Sequence, residues 1–317
     1  MSPSEHASLD AGTRFSWSLL HPRYWLTWLW MLLLFLVVQL PFRFQLWLGR
    51  CLGRVLYRLM ATRRYVAQRN LELCFPELPA DKREYWVKQH FESNGMAVFE
   101  TGMAWFMPYW RLRKRFVIQG ESHWRMIERK GCGALIMAVH FTTLEITNVA
   151  INRLFNMSMS YRPHNNPAYD FVQRHGRERH NRQSTAVDRN DVRGMVRAMK
   201  RGEWLWYAAD QDYGPRVSEF VPWFGVDAAM VSAPPRLAAM ANVPVVGINY
   251  RRLPDYSGYE ITFLPAFKGL PSGDQKADLE RLSQHYETCV RANPVEYLWV
   301  HRRFKTRPEG EQKLYEK

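Results

Sequence analysis

A histidine and a glutamate lie close together in residues 139–145, which read VHFTTLE. A carboxylate that bonds to one ring nitrogen of a histidine fixes the tautomer, and the other nitrogen can then take a proton. His140 and Glu145 would in this way form the base half of a catalytic triad. A serine nucleophile is unnecessary if the substrate supplies its own hydroxyl. The spacing alone is common by chance, and the alternative is a histidine that caps a helix.

The residues before this pair predict where it lies in the fold. Residues 134–139, ALIMAV, form a continuous apolar run, which is typical of a strand buried on both faces. His140 therefore follows the carboxyl end of a predicted strand. Ligands of open α/β sheets bind at the carboxyl ends of the strands. This placement favours a functional role for His140 and Glu145.

A second candidate site, residues 208–216 with the sequence AADQDYGPR, lies at the carboxyl end of another predicted strand. The acidic side chains Asp210 and Asp212, with Arg216 after a Gly-Pro turn, could bind a polar head group or a metal ion. A turn capped by aspartate is the alternative. Between the two segments lie four cationic residues that could bind phosphate or a carrier protein: Arg162, Arg177, Arg179 and Arg182. The alternative is that they are solvated surface residues.

The elements that must position these residues alternate along the chain. A helix begins near Asp81, and another is opened by Asp191 and stopped by Gly202. Further strands are predicted at residues 204–208, 243–250 and 297–301. Alternation of this kind predicts an α/β fold with a mainly parallel central sheet flanked by helices.

Composition narrows the partners without choosing among them. The 317 residues carry a formal net charge of +14, and 47% of them are hydrophobic, which is typical of a folded protein with anionic partners. Four kinds of partner have the negative charge that would complement this protein: nucleic acid, an anionic membrane, phosphorylated substrates and an acidic carrier protein. The four cysteines are scattered, a pattern that indicates neither a disulfide framework nor a zinc site.

The N-terminal part contains the 19 uncharged residues from Tyr24 to Phe42. A helix of that length spans roughly 28 Å, close to the hydrocarbon thickness of a bilayer. Trp25, Trp28 and Trp30 resemble an interfacial aromatic belt. The sequence therefore predicts an N-terminal hydrophobic membrane-anchor helix. A cleaved signal peptide and a buried core helix are the alternatives.

The charges on either side of this segment predict its orientation. Arginines are more numerous after it than before it, so the bulk of the protein is expected on the cytoplasmic side. Arg50, Arg54 and Arg58 recur every fourth residue, as on a basic helix face lying on anionic lipid. We predict a polar tail at residues 1–22, the anchor and a basic amphipathic helix at 23–64, and a catalytic domain at 65–317.

Several motifs together resemble a known family. VHFTTLE resembles the HxxxxD/E signature of glycerolipid-type acyltransferases. The segments YRPHNNP (161–167), WYAADQDYGPR (206–216), FVPWFG (220–225) and HRRFKTRPEG (301–310) resemble the bacterial late acyltransferases of lipid A biosynthesis, in particular those that act on Kdo-lipid IVA. The likeness covers nearly the whole chain. Glutamate stands where glycerolipid relatives more often have aspartate, which favours the lipid A branch.

The resemblance implies a reaction. His140, oriented by Glu145, would deprotonate the 3-hydroxyl of an acyl chain on Kdo-lipid IVA, and the oxygen would take a secondary acyl chain, laurate, from acyl carrier protein. Arg177 and Asp210 occupy positions expected to matter for catalysis or substrate binding. Four further residues are expected to bind substrate: Arg162, Arg182, Asp212 and Arg216.

The resemblance also implies the surroundings of the enzyme. No metal and no cofactor is expected, because acyl-acyl-carrier-protein is a co-substrate. The expected partners are acyl carrier protein, a lipid A precursor and the membrane, with no nucleic acid. The expected location is the bacterial inner membrane, with the catalytic domain facing the cytoplasm. The alternatives are an acyltransferase for glycerophospholipids or another glycolipid, and a non-catalytic basic membrane adaptor.

Overall fold

The computed structural model describes residues 15–181 and 183–315. Its strands are β1 Phe116–Gln119, β2 Ala134–Met137, β3 Met157–Tyr161, β4 Thr185–Asp188, β5 Trp204–Tyr207, β6 Ser218–Trp223, β7 Val226–Val231, β8 Val245–Arg252 and β9 Tyr259–Ala266. Its helices are α1 Trp25–Val37, α2 Phe42–Leu59, α3 Ala61–Cys74, α4 Ala80–Phe106, α5 Tyr109–Leu112, α6 Glu121–Glu128, α7 Leu144–Leu154, α8 Pro167–Glu178, α9 Val192–Lys200, α10 Ala233–Ala241 and α11 Gln275–Ala292.

The central sheet of the described residues has the strand order β1-β9-β8-β2-β5-β3-β4, and β6 and β7 form a separate antiparallel pair. Neighbouring strands from β8 to β4 are parallel, as are β1 and β9, whereas β8 and β9 are antiparallel. All four residues of β2 and all four of β5 are buried, as the apolar runs require. The predicted α/β fold with a mainly parallel sheet is confirmed.

One predicted strand is wrong. Residues 297–301 form turns, and only Tyr297 makes a bridge, to Phe141. Their apolar side chains fill the core behind the sheet, where Trp299 is fully buried. The apolar pattern of these residues therefore reflects their burial in the core and not a strand.

The N-terminal apolar run is broken into two helices. Helix α1 has 13 residues, about 20 Å, and the chain turns before Pro41 precedes α2. The predicted continuous helix from Tyr24 to Phe42 is therefore wrong. Across residues 15–181 and 183–315, no helix has the length and apolar character needed to cross a bilayer. Residues 1–14 of the predicted polar tail lie outside the described residues.

Helices α2 and α4 touch backbone to backbone at glycines. A Cβ atom on Gly53 would lie 2.2 Å from the carbonyl oxygen of Phe91, and one on Gly95 would lie 2.0 Å from that of Gly49. Arg50 and Arg54 of α2 both donate to Glu92 of α4, at 2.8 Å and 2.7 Å. Two cations of the predicted basic stripe thus pair with Glu92, although the Arg54 side chain remains 55% exposed, and the contact of the stripe with anionic lipid stays a prediction.

Candidate active site

The register of two neighbouring strands brings His140 and Asp210 together. Parallel strands β2 and β5 pair Met137 with Tyr207, and the ladder continues as the Ala138 amide donates to the Tyr207 carbonyl at 2.9 Å. From each of these paired residues, where the strand ends, the chain continues for three residues, to His140 and to Asp210. Equal distances from a paired position place the two residues side by side at the carboxyl edge of the sheet.

Asp210 holds His140 through both of its oxygens. The ring Nδ1 lies 2.5 Å from Oδ1, and the His140 backbone amide donates to Oδ2 at 2.9 Å. The Asp210 carboxylate is fully buried, and burial would raise its pKa. The charge of His140 and the hydrogen bonds from its ring and amide outweigh burial, so the pKa of Asp210 lies below its ordinary value. An ionised Asp210 fixes the proton on Nδ1 and leaves Nε2 as the basic nitrogen.

Glu145 binds a different partner from the one expected. The Arg177 guanidinium donates to its carboxylate through Nε, at 3.0 Å and 3.1 Å, and also through Nη2. Trp105 adds an indole N–H bond of 3.2 Å. The prediction that Glu145 orients the imidazole is corrected, because the first turn of α7 directs its carboxylate toward α8. Asp210 is the carboxylate that contacts His140.

Arg177 keeps its positive charge in its pair with Glu145. Burial would lower the pKa of the Arg177 guanidinium, but the Glu145 carboxylate outweighs burial and raises that pKa above its ordinary value. Its two N–H bonds to the carboxylate give a planar, two-point contact that fixes the orientation of the guanidinium. Its expected role in catalysis or substrate binding stays a prediction.

His140, Glu145 and Arg177 line one cavity of about 960 Å³, and Asp210 is buried behind His140. Its apolar wall includes Met159, Trp206, Val217, Leu237 and Met240. Its cationic side chains are Arg162, Arg177, Arg189, Arg216 and Arg236. A cavity with an apolar wall, several cations and a histidine base can accept an anionic ligand that also has a hydrocarbon part.

The structure separates the four predicted substrate-binding residues. Arg162 and Arg216 line the cavity. Asp212 is buried and accepts from the amides of Gly214 and Thr306, each at 2.8 Å, so its role in substrate binding finds no support in the geometry. Arg182 lies outside the described residues. Arg189 and Arg236 also line the cavity, and sequence reasoning missed both.

Sequence reasoning also missed a group of buried polar and charged residues that includes part of the loop after His140. We term this group the buried network. It comprises Ser93, Glu100, Thr142, Thr143, Arg252, Tyr259 and Glu296. Arg252 donates to Glu100 at 2.5 Å and 2.6 Å and to Thr142 at 3.2 Å. Glu296 accepts from the Thr143 hydroxyl at 3.0 Å. The only signal in the sequence is the single charge of Glu100 within the apolar segment MAVFETGMAWF (96–106).

Comparisons with known proteins identify the family and the relatives of this chain. The family model for bacterial lipid A biosynthesis acyltransferases matches residues 12–306. The lipid A biosynthesis lauroyltransferase of Escherichia coli (strain K12) is 43% identical over 307 residues, which cover 95% of this chain and 98% of that protein.

This chain belongs to the bacterial lipid A biosynthesis acyltransferases. The resemblance inferred from its motifs is confirmed, and the protein is an acyltransferase. Two further relatives from the same strain extend the comparison. The lipid A biosynthesis palmitoleoyltransferase is 39% identical over 95% of this chain and 98% of its own length, and the myristoyltransferase is 28% identical over 96% and 94%. The relatives' names thus share lipid A biosynthesis and differ in the acyl chain.

Proposed function

We propose that this acyltransferase adds a secondary acyl chain, laurate, to the 3-hydroxyl of an acyl chain on Kdo-lipid IVA, with acyl carrier protein as donor. The observation that carries the proposal is the imidazole of His140, held by Asp210 in a cavity that has both cations and an apolar wall. The 43% identity to a lauroyltransferase supports laurate.

The proposed reaction begins with proton removal. The Nε2 atom of His140 takes the proton of the lipid hydroxyl, and the buried carboxylate of Asp210 stabilises the imidazolium that forms. The lipid oxygen attacks the thioester carbonyl of the donor and forms a tetrahedral intermediate. When the C–S bond breaks, the imidazolium returns the proton to the thiolate of the carrier. The lipid gains an ester, the carrier leaves as a thiol, and His140 is neutral again.

The Glu145–Arg177 pair has a separate role in this proposal. Negative charge develops on the thioester oxygen in the tetrahedral intermediate, and a fixed cation nearby stabilises such charge. Glu145 holds two N–H groups of Arg177, which keeps the guanidinium in one orientation in the cavity that His140 also lines. We infer that Arg177 is the electrostatic group and Glu145 its positioning residue.

The cations suit the acceptor. Arg162 and Arg216 lie at the cavity with no carboxylate partner among the described residues, and a phosphorylated glycolipid offers the charges they lack. The chemistry uses acyl-acyl-carrier-protein as a co-substrate and requires no cofactor or metal.

We further propose that the enzyme works at the cytoplasmic face of the bacterial inner membrane. One side of α1 packs on α4 through Met31 and Leu34. Its other side exposes large apolar residues: Trp25, Leu26, Leu29, Leu32, Leu33 and Leu36. A helix with such a side can lie in the interface of a membrane that holds a lipid acceptor.

A transfer assay tests the proposed function. Full-length enzyme in detergent is incubated with radiolabelled lauroyl-acyl-carrier-protein and either Kdo-lipid IVA or a glycerophospholipid acceptor. We expect label in Kdo-lipid IVA only, and mass spectrometry of lipid A from cells with and without the protein should differ by one lauroyl group. Label in the glycerophospholipid alone would contradict the proposed acceptor, and full cellular function of His140→Ala would favour a non-catalytic adaptor.

A further inference from the structure

Helix α9 presents a row of exposed cations. Arg193, Arg197 and Lys200 follow one another at intervals of four and three residues, so they share one face of the helix. The opposite face carries Met195, Ala198 and Met199, all buried against the protein. The helix contains no acidic residue. We term the three exposed cations the α9 basic face.

The α9 basic face is not neutralised by the protein. None of its three cations has an ion-pair or hydrogen-bond partner in the part of the chain that the structure describes. The nearest acidic residues in sequence are already engaged. Asp191 caps the helix by accepting from the Gly194 amide, and Glu203 binds Arg201 and Ser158. The positive field of this face is therefore available to a partner.

The α9 basic face starts beside the catalytic cavity. Arg189, Asn190 and Val192, at and just before the first turn of α9, all line the cavity that holds His140. Helix α9 also packs against α10, whose Arg236 and Met240 line the same cavity. A macromolecule bound along α9 would thus lie at the edge of the cavity.

We propose that the α9 basic face docks the acidic carrier protein that delivers the acyl thioester, an inference that rests on the proposed function for the identity of the donor. Charge complementarity of this kind steers association and fixes orientation. A carrier docked there can direct its thioester-bearing arm into the adjoining cavity, toward His140. The cations of α9 would then set the affinity for the donor protein and take no part in the chemistry.

A lipid surface fits α9 less well. Helices that lie on membranes combine cations with exposed apolar side chains that enter the bilayer. The apolar residues of α9 are turned into the core, apart from Val192, which is 42% exposed. Among the described helices, α1 instead carries the largest set of exposed apolar side chains. The observations therefore favour a protein partner for α9.

The test reverses the charge of two residues and compares two donors. The double variant R193E/R197E, in full-length enzyme, is assayed with lauroyl-acyl-carrier-protein and with lauroyl-pantetheine, which has the same thioester but no acidic protein. The matched control is R129E/K130E, which makes the same charge change at two exposed residues after α6 that do not line the cavity. We expect R193E/R197E to lower kcat/KM for the carrier-bound donor about tenfold at low salt, with a smaller loss at high salt.

The assay with lauroyl-pantetheine distinguishes a loss of carrier docking from a general loss of activity. Lauroyl-pantetheine should be used by R193E/R197E within about twofold of the parent rate, because this donor makes no contact with α9. Equal losses with both donors, or an equal loss in R129E/K130E, would overturn the docking inference. So would unchanged use of the carrier-bound donor with weaker binding to anionic phospholipid vesicles, which would assign α9 to lipid. A parent enzyme that uses lauroyl-pantetheine but not the carrier-bound donor would overturn the proposed donor itself.

Discussion

The loop that carries the VHFTTLE motif has two sides with different electrostatics. On the cavity side, His140 binds Asp210 and Glu145 binds Arg177. On the opposite side, Thr142 and Thr143 belong to the buried network, where Thr142 accepts from Arg252 and Thr143 donates to Glu296. The same short segment therefore contacts one set of charges that borders a cavity and another that is enclosed.

The two sets of charges differ in how far their side chains are exposed. The His140 side chain is 21% exposed and that of Arg177 is 17% exposed, so both keep atoms that a ligand can reach. Arg252 is 4% exposed and Glu100 is 1% exposed, and their contacts are made within the protein. Cavity-side charges can thus serve a reaction, whereas the buried network holds the loop in place. Substitutions on the two sides should affect different measurements.

The largest expected effect is on the rate. His140→Ala removes the base, and Asp210→Asn leaves the imidazole without the carboxylate that fixes its tautomer. In a Ser-His-Asp triad the corresponding Asp→Asn change lowers the rate by about 10⁴, so we expect losses of roughly 10³ to 10⁴ in kcat for both variants. Single-turnover acyl transfer measures this loss.

Urea unfolding supplies the control for these two variants. His140→Ala should lower the free energy of unfolding by about 1–3 kcal/mol, because the buried carboxylate of Asp210 loses its ring partner, so the rates are compared per folded molecule. A large loss of stability with an intact rate per folded molecule would reverse the assignment of the two sides.

The next effect is on stability. Arg252→Met leaves Glu100 and Glu296 buried without their cation, and breaking a buried ion pair costs about 3–5 kcal/mol. The neighbouring Arg251→Met is a matched control, because Arg251 is 41% exposed and its pair with Glu260 lies at the surface. Its loss should cost less than about 1 kcal/mol. Similar unfolding midpoints for the two variants would contradict the proposed contribution of the buried network to stability.

A smaller effect should distinguish charge from orientation on the cavity side. Arg177→Met removes the fixed cation and should lower kcat about 10²-fold. Arg177→Lys keeps the charge but loses the two-point contact with Glu145, so it should recover only part of the rate. Full recovery in the lysine variant would show that orientation by Glu145 is unnecessary.

The smallest effect concerns the dependence of stability on pH. Burial lowers the pKa of His90, His285 and His301 to about 4. Their ordinary value is about 6.5, so protons bind the unfolded chain first as the pH falls. Stability from these groups is complete above about pH 6.5 and is lost as the pH falls toward 4.

Replacing one of them tests this prediction. In His90→Gln, the loss of unfolding free energy between pH 7 and pH 5 should shrink by about 1–2 kcal/mol relative to the parent protein. Urea unfolding at the two pH values measures the change. An unaltered pH dependence would contradict a neutral, buried His90.

Local sequence patterns predicted the sheet better than they predicted the contacts of its edge. The apolar runs before His140 and in residues 204–208 identified β2 and β5, and both functional residues follow these strands. The partner of His140 could not be read in the same way. Glu145 is near in sequence, but Asp210 is 70 residues away and is brought close only by the pairing of Met137 with Tyr207.

Two other features depend on tertiary packing. The apolar run from Tyr24 to Phe42 has the composition of a spanning helix, yet Val38 is fully buried and the chain turns there. The buried network draws Arg252 and Glu100 together from positions 152 residues apart. Neither residue has a neighbouring sequence signal that identifies the other.

The most direct test of the central claim is a ¹⁵N NMR measurement of the His140 tautomer in histidine-labelled protein. The parent enzyme and Glu145→Gln should both show the neutral ring protonated at Nδ1, because Asp210 accepts that proton in each. Asp210→Asn should lose this preference. A tautomer that is unchanged in Asp210→Asn but altered in Glu145→Gln would contradict the account and restore Glu145 as the orienting carboxylate.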